Sequence, residues 1–93
     1  MGLEFEWHGE KAGLNVTKHG VSFDEARTIF SDRLEMMMFD PDHSDDEDRY
    51  ISIGLSNRGR VLVVSYTERG DRIRIISARV ANKRERSQYE KGS

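Results

Sequence analysis

No cysteine occurs among the 93 residues, which excludes a disulfide framework and a thiolate zinc site and leaves nothing that demands an oxidising compartment. No apolar stretch approaches the length of a membrane span, and the N-terminus opens acidic and aromatic rather than basic and apolar, so neither an anchor nor a leader is expected. The expected location is the cytoplasm. No Ser-His-Asp or Cys-His order and no phosphate-cradling glycine loop is present, and paired carboxylates do not stand out in the C-terminal half. The length suits one domain over residues 1–93, with a modest core and either a small cleft or a flat binding face.

What is present is charge, unevenly placed. The formal net charge of -2 averages two opposed halves: residues 1–48 hold four Lys/Arg against thirteen Asp/Glu, and residues 49–93 hold eleven against four. The second half is suited to phosphate and the first is not. Between Thr67 and Tyr89 alone lie six arginines and a lysine, on a strand-turn-strand-helix pattern.

The pattern along the chain predicts an α+β fold, an antiparallel β-meander with two N-terminal helices and one C-terminal helix, in the order β-α-α-β-β-β-β-α. Leu3, Phe5 and Trp7 alternate with acidic residues and predict a short edge strand with those three on one face. Residues 9–19 predict a helix with Ala12, Val16 and His19 on one side, ended by Gly20. A second helix starts at once, because Ser22 and Glu25 form a capping box and Val21 can staple onto Ala26. Phe23, Ala26, Ile29 and Phe30 are its buried stripe. Leu34–Phe39 reads as a strand whose three consecutive Met fill the core. Asp40–Asp48, with six acidic residues around the single proline, reads as a solvated loop; it lacks the central Gly and terminal Glu of a calcium loop, and no metal site is expected there. Strands over Tyr50–Ser56, Arg60–Thr67 and Arg72–Arg79 follow, separated by glycine-bearing turns, and Asn82 with Glu85 caps the last helix.

If Arg58-Gly59 and Arg69-Gly70 are two-residue turns, Leu55 faces Leu62, Ile53 faces Val64, Ile51 faces Tyr66, and Val64 and Tyr66 face Ile75 and Ile73, all on one face. The same register sets Arg60 beside Arg79 on that side and sends Arg72 and Arg74 to the other, alongside Ser65 and Thr67. Arginine with tyrosine suits single-stranded RNA, since guanidinium binds phosphate bidentately and a phenol ring stacks on a base. A run such as Lys83–Arg86 is also what an ordinary solvated helix face looks like. His19 reads first as a helix-terminus residue, and His8 and His43 as polar surface.

Several motifs in order, Phe5-Glu6-Trp7, Lys18-His19-Gly20-Val21-Ser22-Phe23-Asp24-Glu25-Ala26, Ile53-Gly54-Leu55, Thr67-Glu68-Arg69, Arg74-Ile75-Ile76-Ser77-Ala78-Arg79 and Arg84-Glu85-Arg86 with Tyr89, resemble the BrnT toxins nearly end to end. The resemblance implies a RelE-like fold and a metal-independent endoribonuclease toxin of a bacterial type II toxin-antitoxin module that inhibits translation by cutting RNA. It implies no cofactor. It also implies a BrnA-like antitoxin with a ribbon-helix-helix domain, a complex of two toxins with two antitoxins, contact with operator DNA only through that antitoxin, and no membrane.

The resemblance puts Arg79 first as a clamp on the scissile phosphate, followed by Arg74, Arg84 and Tyr89, with Glu68, Glu85 or His19 as base. Arg60, Arg69, Arg72, Lys83 and Arg86 are the expected RNA contacts. The competing reading is a non-catalytic module that binds nucleic acid or an acidic protein.

Overall fold

The computed structural model describes residues 3–92. Its elements are β1 (Glu4–Glu6), α1 (Gly9–His19), α2 (Phe23–Ala26) running into a 3-10 turn (Arg27–Ser31), β2 (Met36–Phe39), a short 3-10 turn (Pro41–His43), β3 (Arg49–Leu55), β4 (Val61–Arg69), β5 (Arg72–Val80) and α3 (Lys83–Lys91). This is the expected α+β order. The five strands lie as β1-β5-β4-β3-β2; β2 to β5 form an antiparallel meander, and β1 joins the edge of β5 in parallel.

Local chemistry explains the boundaries. Gly20 ends α1 in the left-handed region at φ 69°, where its N–H bonds to the Val16 carbonyl. Ser22 accepts the Glu25 N–H at 3.0 Å and starts α2, but the Glu25 carboxylate is spent on Arg60 and Ser56, so only one half of the expected capping box forms. At α3 both halves form between Asn82 and Glu85.

The sheet has two covered faces. On the first, α1, α2 and the adjoining 3-10 turn bury Val21, Phe23, Ala26 and Ile29 against Leu62, Val64, Tyr66, Ile73, Ile75 and Ala78, with Phe5, Trp7 and Phe30 packed beside them. Each large aliphatic or aromatic side chain buried there stabilises the fold by about 1.5–3 kcal/mol before entropy is charged against it. On the second, α3 covers a smaller cluster of Ile53, Val63, Ala81 and Tyr89.

Four expectations fail here. The hairpin registers are displaced: Leu55 pairs with Val61, Ile53 with Val63 and Ile51 with Ser65, because the β3–β4 connection is longer than two residues and is closed by Ser56 and Arg60. The β4–β5 turn is Gly70-Asp71, with Arg69 opposite Arg72, and between Tyr66–Ile75 and Ser65–Ser77 the extra residue Ile76 has no partner on β4. The apolar positions therefore divide between two faces. Of the three methionines expected to fill the core, only Met36 packs on the smaller cluster, while Met37 and Met38 are exposed. On α1 the buried residue is Asn15, with Val16 exposed. Asn15 pairs its carboxamide with both the N–H and the C=O of Ala78 and also reaches the Val21 carbonyl, completing hydrogen bonds along β5 beyond the end of β1. Leu3, expected to pack beside Phe5, is exposed.

Candidate active site

The unpaired Ile76 decides where the arginines go. Strand alternation alone puts Arg74 and Arg79, five residues apart, on opposite faces. The extra residue reverses the parity of β5 after Ile75, so Arg79 opposite Val63, Arg74 opposite Thr67 and Arg72 opposite Arg69 all stand on the α3 side. This corrects the expected pairing of Arg60 with Arg79. Arg60 stands on the opposite side, where Glu25 holds its guanidinium through two hydrogen bonds and the Gly20 carbonyl takes another.

Across the α3 face the register sets side chains in rows. One row runs Glu6, Arg74, Thr67, Arg49; the next Ser77, Ser65, Ile51, Met38; the next Arg79, Val63, Ile53, Met36. Between the last two rows and α3 opens a groove of about 380 Å³ with Ile51, Ile53 and Val63 as its floor, Met38 on one side, and Arg79, Arg84, Glu85 and Gln88 on the other. An apolar floor under a basic wall suits a ligand with a flat apolar part and an anionic part.

Arg79 presents both terminal nitrogens to Glu85 at 2.7 Å each, a fork-to-fork pair. Its hydrogen bonds to Glu85 hold the Arg79 pKa above its ordinary value, and the same bonds hold the Glu85 carboxyl below its own. Glu85 also accepts the Asn82 N–H and so belongs to the helix cap. Arg74 is half-buried and bonded to Glu6 at 3.1 Å; Arg72 reaches Glu4 and Glu6; Arg69 reaches Glu47 at 3.0 Å. These ion pairs are partly exposed, so an incoming phosphate competes with them at modest cost.

Of the residues expected at the site, Arg79, Arg84 and Glu85 are brought together in the groove, with Arg74, Arg72 and Arg69 farther along the same face. Lys83 and Arg86 are exposed on α3. Besides Arg60, three do not join them. Glu68 pairs with Ile73 and lies on the helix-covered side. His19 closes α1 beside Lys11, Lys18 and Ser77. Tyr89 is buried under α3, donating its hydroxyl to Asp32 at 2.5 Å, and burial followed by that bond pushes its phenol up to about 12. Burial opposes charge on Asp32, but hydrogen bonds from Tyr89, Leu55 and Leu34 more than offset it, and its carboxyl stays below the usual range.

Sequence reasoning missed Arg49, which shares a row with Arg74, because only the pairing of both with Thr67 brings them into line. It also missed Ser77, the partner of Ser65, which differs from any surface serine only in its register. The acidic loop is folded rather than merely solvated: Asp40 bonds to His43, and Ser44 to the Asp40 carbonyl and the Arg49 N–H. No cluster of three His, Asp or Glu that could hold a metal ion occurs among the described residues.

Residues 7–85 match the family described as "Ribonuclease toxin, BrnT, of type II toxin-antitoxin system". Among solved structures, the chain is similar to the 1.1 Å crystal structure of the Brucella abortus ribonuclease toxin BrnT. The two align with a TM-score of 0.64 over 88% of this chain and 100% of that one, at 24% identity, a likeness of fold. No curated protein matches the chain.

Proposed function

The chain belongs to the BrnT family of type II toxin-antitoxin ribonuclease toxins, and from that premise we propose that its α3-side groove binds single-stranded RNA and cuts it without a metal ion. The observation that carries this reading is the convergence of Arg79, Arg84 and Glu85 on one groove, with Arg74 on the same sheet face. The RNA supplies its own nucleophile: a 2'-hydroxyl attacks the adjacent phosphorus, the bond to the 5'-oxygen breaks, and the proton lost by the one is balanced by the proton gained by the other. Arg79 takes the phosphoryl oxygens, and the guanidinium fork stabilises the extra negative charge of the pentacovalent state. Arg84 and the arginines along the face hold the flanking phosphates, and bases lie over Ile51, Ile53 and Met38.

Of the three groups offered as base, Glu85 alone lines the groove. Its carboxylate is held ionised by Arg79, which weakens it as a proton acceptor. Charge stabilisation and alignment of the 2'-hydroxyl therefore do most of the work. Translation stops because messages are cut, and the cytoplasm is where this happens. A ribbon-helix-helix antitoxin of BrnA type restrains the toxin in a complex of two copies of each and alone touches operator DNA.

The test is incubation of the purified protein with RNA in EDTA. Products ending in a 2',3'-cyclic phosphate are expected, and Arg79→Ala lowers the rate by about 10²–10³-fold, as expected for loss of a charge-stabilising donor. Full activity in Arg79→Ala removes Arg79 from the site. Salt-sensitive RNA binding with no products returns the protein to the class of non-catalytic binding modules.

A further inference from the structure

The β2 edge of the sheet carries a feature that RNA chemistry does not use. Met36–Phe39 pairs with β3 on one side, and among the described residues no strand pairs with the other. Met37 is 60% exposed, Phe39 50%, and Leu34 just before the strand 66%. Folded proteins guard such an edge with lysine, proline or a bulge inside the strand, because its open N–H and C=O groups and apolar side chains recruit another chain. Met36-Met37-Met38-Phe39 has none of these guards. Just beyond its end, Asp42, Asp45, Asp46 and Glu47 converge with His43 and Arg49 around a hollow of about 300 Å³. That concentration of negative charge repels nucleic acid and attracts a cationic side chain.

We propose that the β2 edge is the docking strand for the antitoxin, which adds an extended apolar segment beside Met36–Phe39 and places a basic residue in the adjoining acidic hollow. The inference rests on the antitoxin partner that family membership implies. Two observations favour a separate partner over a second copy of this chain. A strand of four residues contributes little of the roughly 800 Å² per partner that a stable interface buries, so the occupant has to continue past the edge. Met38 supplies the path, because it belongs to β2 and also lines the groove beside Arg79. A segment laid along β2 runs naturally over the groove. Added-strand pairing provides affinity through the main chain, and specificity comes from the alternate side chains and the acidic hollow. The basic half then meets RNA, the acidic half meets protein, and one occupant excludes the other at Met38.

The experiment uses the full chain with the small protein encoded by the neighbouring reading frame, and reads amide hydrogen exchange in the free and bound toxin. On binding, exchange over Met36–Phe39 slows about tenfold or more, as open edge amides become paired. Met37→Lys, at an exposed position outside the groove, and Asp46→Lys, in the hollow, each weaken binding about tenfold or more while cleavage of RNA by free toxin is unchanged. Unchanged exchange at β2 with both variants binding within about twofold of the parent overturns the proposal. So does failure of the neighbouring protein to bind, or a free toxin that is already a dimer and becomes monomeric on Met37→Lys. The exchange and binding readouts do not depend on catalysis, so a toxin that binds here but cuts no RNA refutes the cleavage reading alone.

Discussion

Tyr89 and Asp32, 57 residues apart, are joined by a hydrogen bond that ties α3 to the segment leaving the helix-covered face, at the point where Asp32 also takes the Leu55 N–H at the end of β3. The carboxylate thus links three segments from both layers of the fold. Tyr89→Phe keeps the buried ring and loses only the hydroxyl. The expected cost is about 1.5 kcal/mol, as for a hydrogen bond to a charged group, measured by urea unfolding. RNA cleavage well below the melting temperature is unchanged. A large fall in the rate of the folded variant would assign Tyr89 a chemical role that its burial argues against.

Glu85 sits where the proposed cleavage places a phosphate. Its carboxylate holds both terminal nitrogens of Arg79, the geometry a bound phosphoryl group would adopt. Glu85→Gln preserves a side chain able to complete the helix cap but removes the charge. RNA affinity is expected to rise about threefold to tenfold, measured by anisotropy with a non-cleavable 2'-deoxy substrate at fixed salt. Unchanged affinity means that the phosphate approaches Arg79 from elsewhere. A fall in single-turnover rate alongside tighter binding identifies Glu85 as the proton acceptor.

Glu25 is buried on α2, paired with Arg60 and hydrogen-bonded by Ser56. Truncation by Glu25→Ala leaves Arg60 unpaired and costs about 3 kcal/mol, the low end for such pairs because Arg60 is partly exposed and can recruit water. The Arg60 hydrogen bonds hold the Glu25 carboxyl below its ordinary 4.5 despite the opposing effect of burial. Its stabilising contribution is therefore fully present above pH 4.5 and is lost as pH falls through the folded value. Melting curves of parent and Glu25→Gln should converge over that interval, and parallel curves down to strong acid would contradict the pairing.

Gly54 lies where the 3-10 turn presses on β3. A Cβ there would come within 2.9 Å of the Ile29 Cβ and 3.2 Å of the Ile29 carbonyl oxygen. Gly54→Ala is expected to destabilise the protein by about 1–3 kcal/mol through overpacking, measured by thermal or denaturant unfolding. A neutral result would show that the turn can retreat from the sheet.

How much of this was legible in the sequence depends on what each feature requires. Helix starts at Ser22 and Asn82 and the stop at Gly20 are local chemistry, and they stand where the residues put them. The meander of β2 to β5 followed from alternation and glycine turns, whereas the parallel partner of β1 did not. Register did not, because Val61-Leu62-Val63-Val64 is apolar on both faces and offers no polar side chain to mark which one turns outward. Asn15 was silent for a related reason: its partner, the main chain of Ala78, is 63 residues away and exists only once the sheet has formed. The basic groove was foreseen in composition and misassigned in geometry, with Arg79 set beside Arg60 and away from Arg74 by a parity that the β5 bulge overturned.

That bulge also reconciles an odd spacing with a shared face in a way that residue identity does not reveal. Removing Ile76 would set Arg74 and Arg79 four residues apart, and plain alternation would keep both on the groove side. Keeping Ile76 but pairing it with Ser65 would instead turn Arg79 toward α1 and α2 and Ala78 toward the groove. Two relatives with the same arginines at the same spacing would thus differ in which side of the sheet carries the charge if only one of them bulged. For this fold the unpaired residue is as much a part of an intact cleft as the arginines themselves.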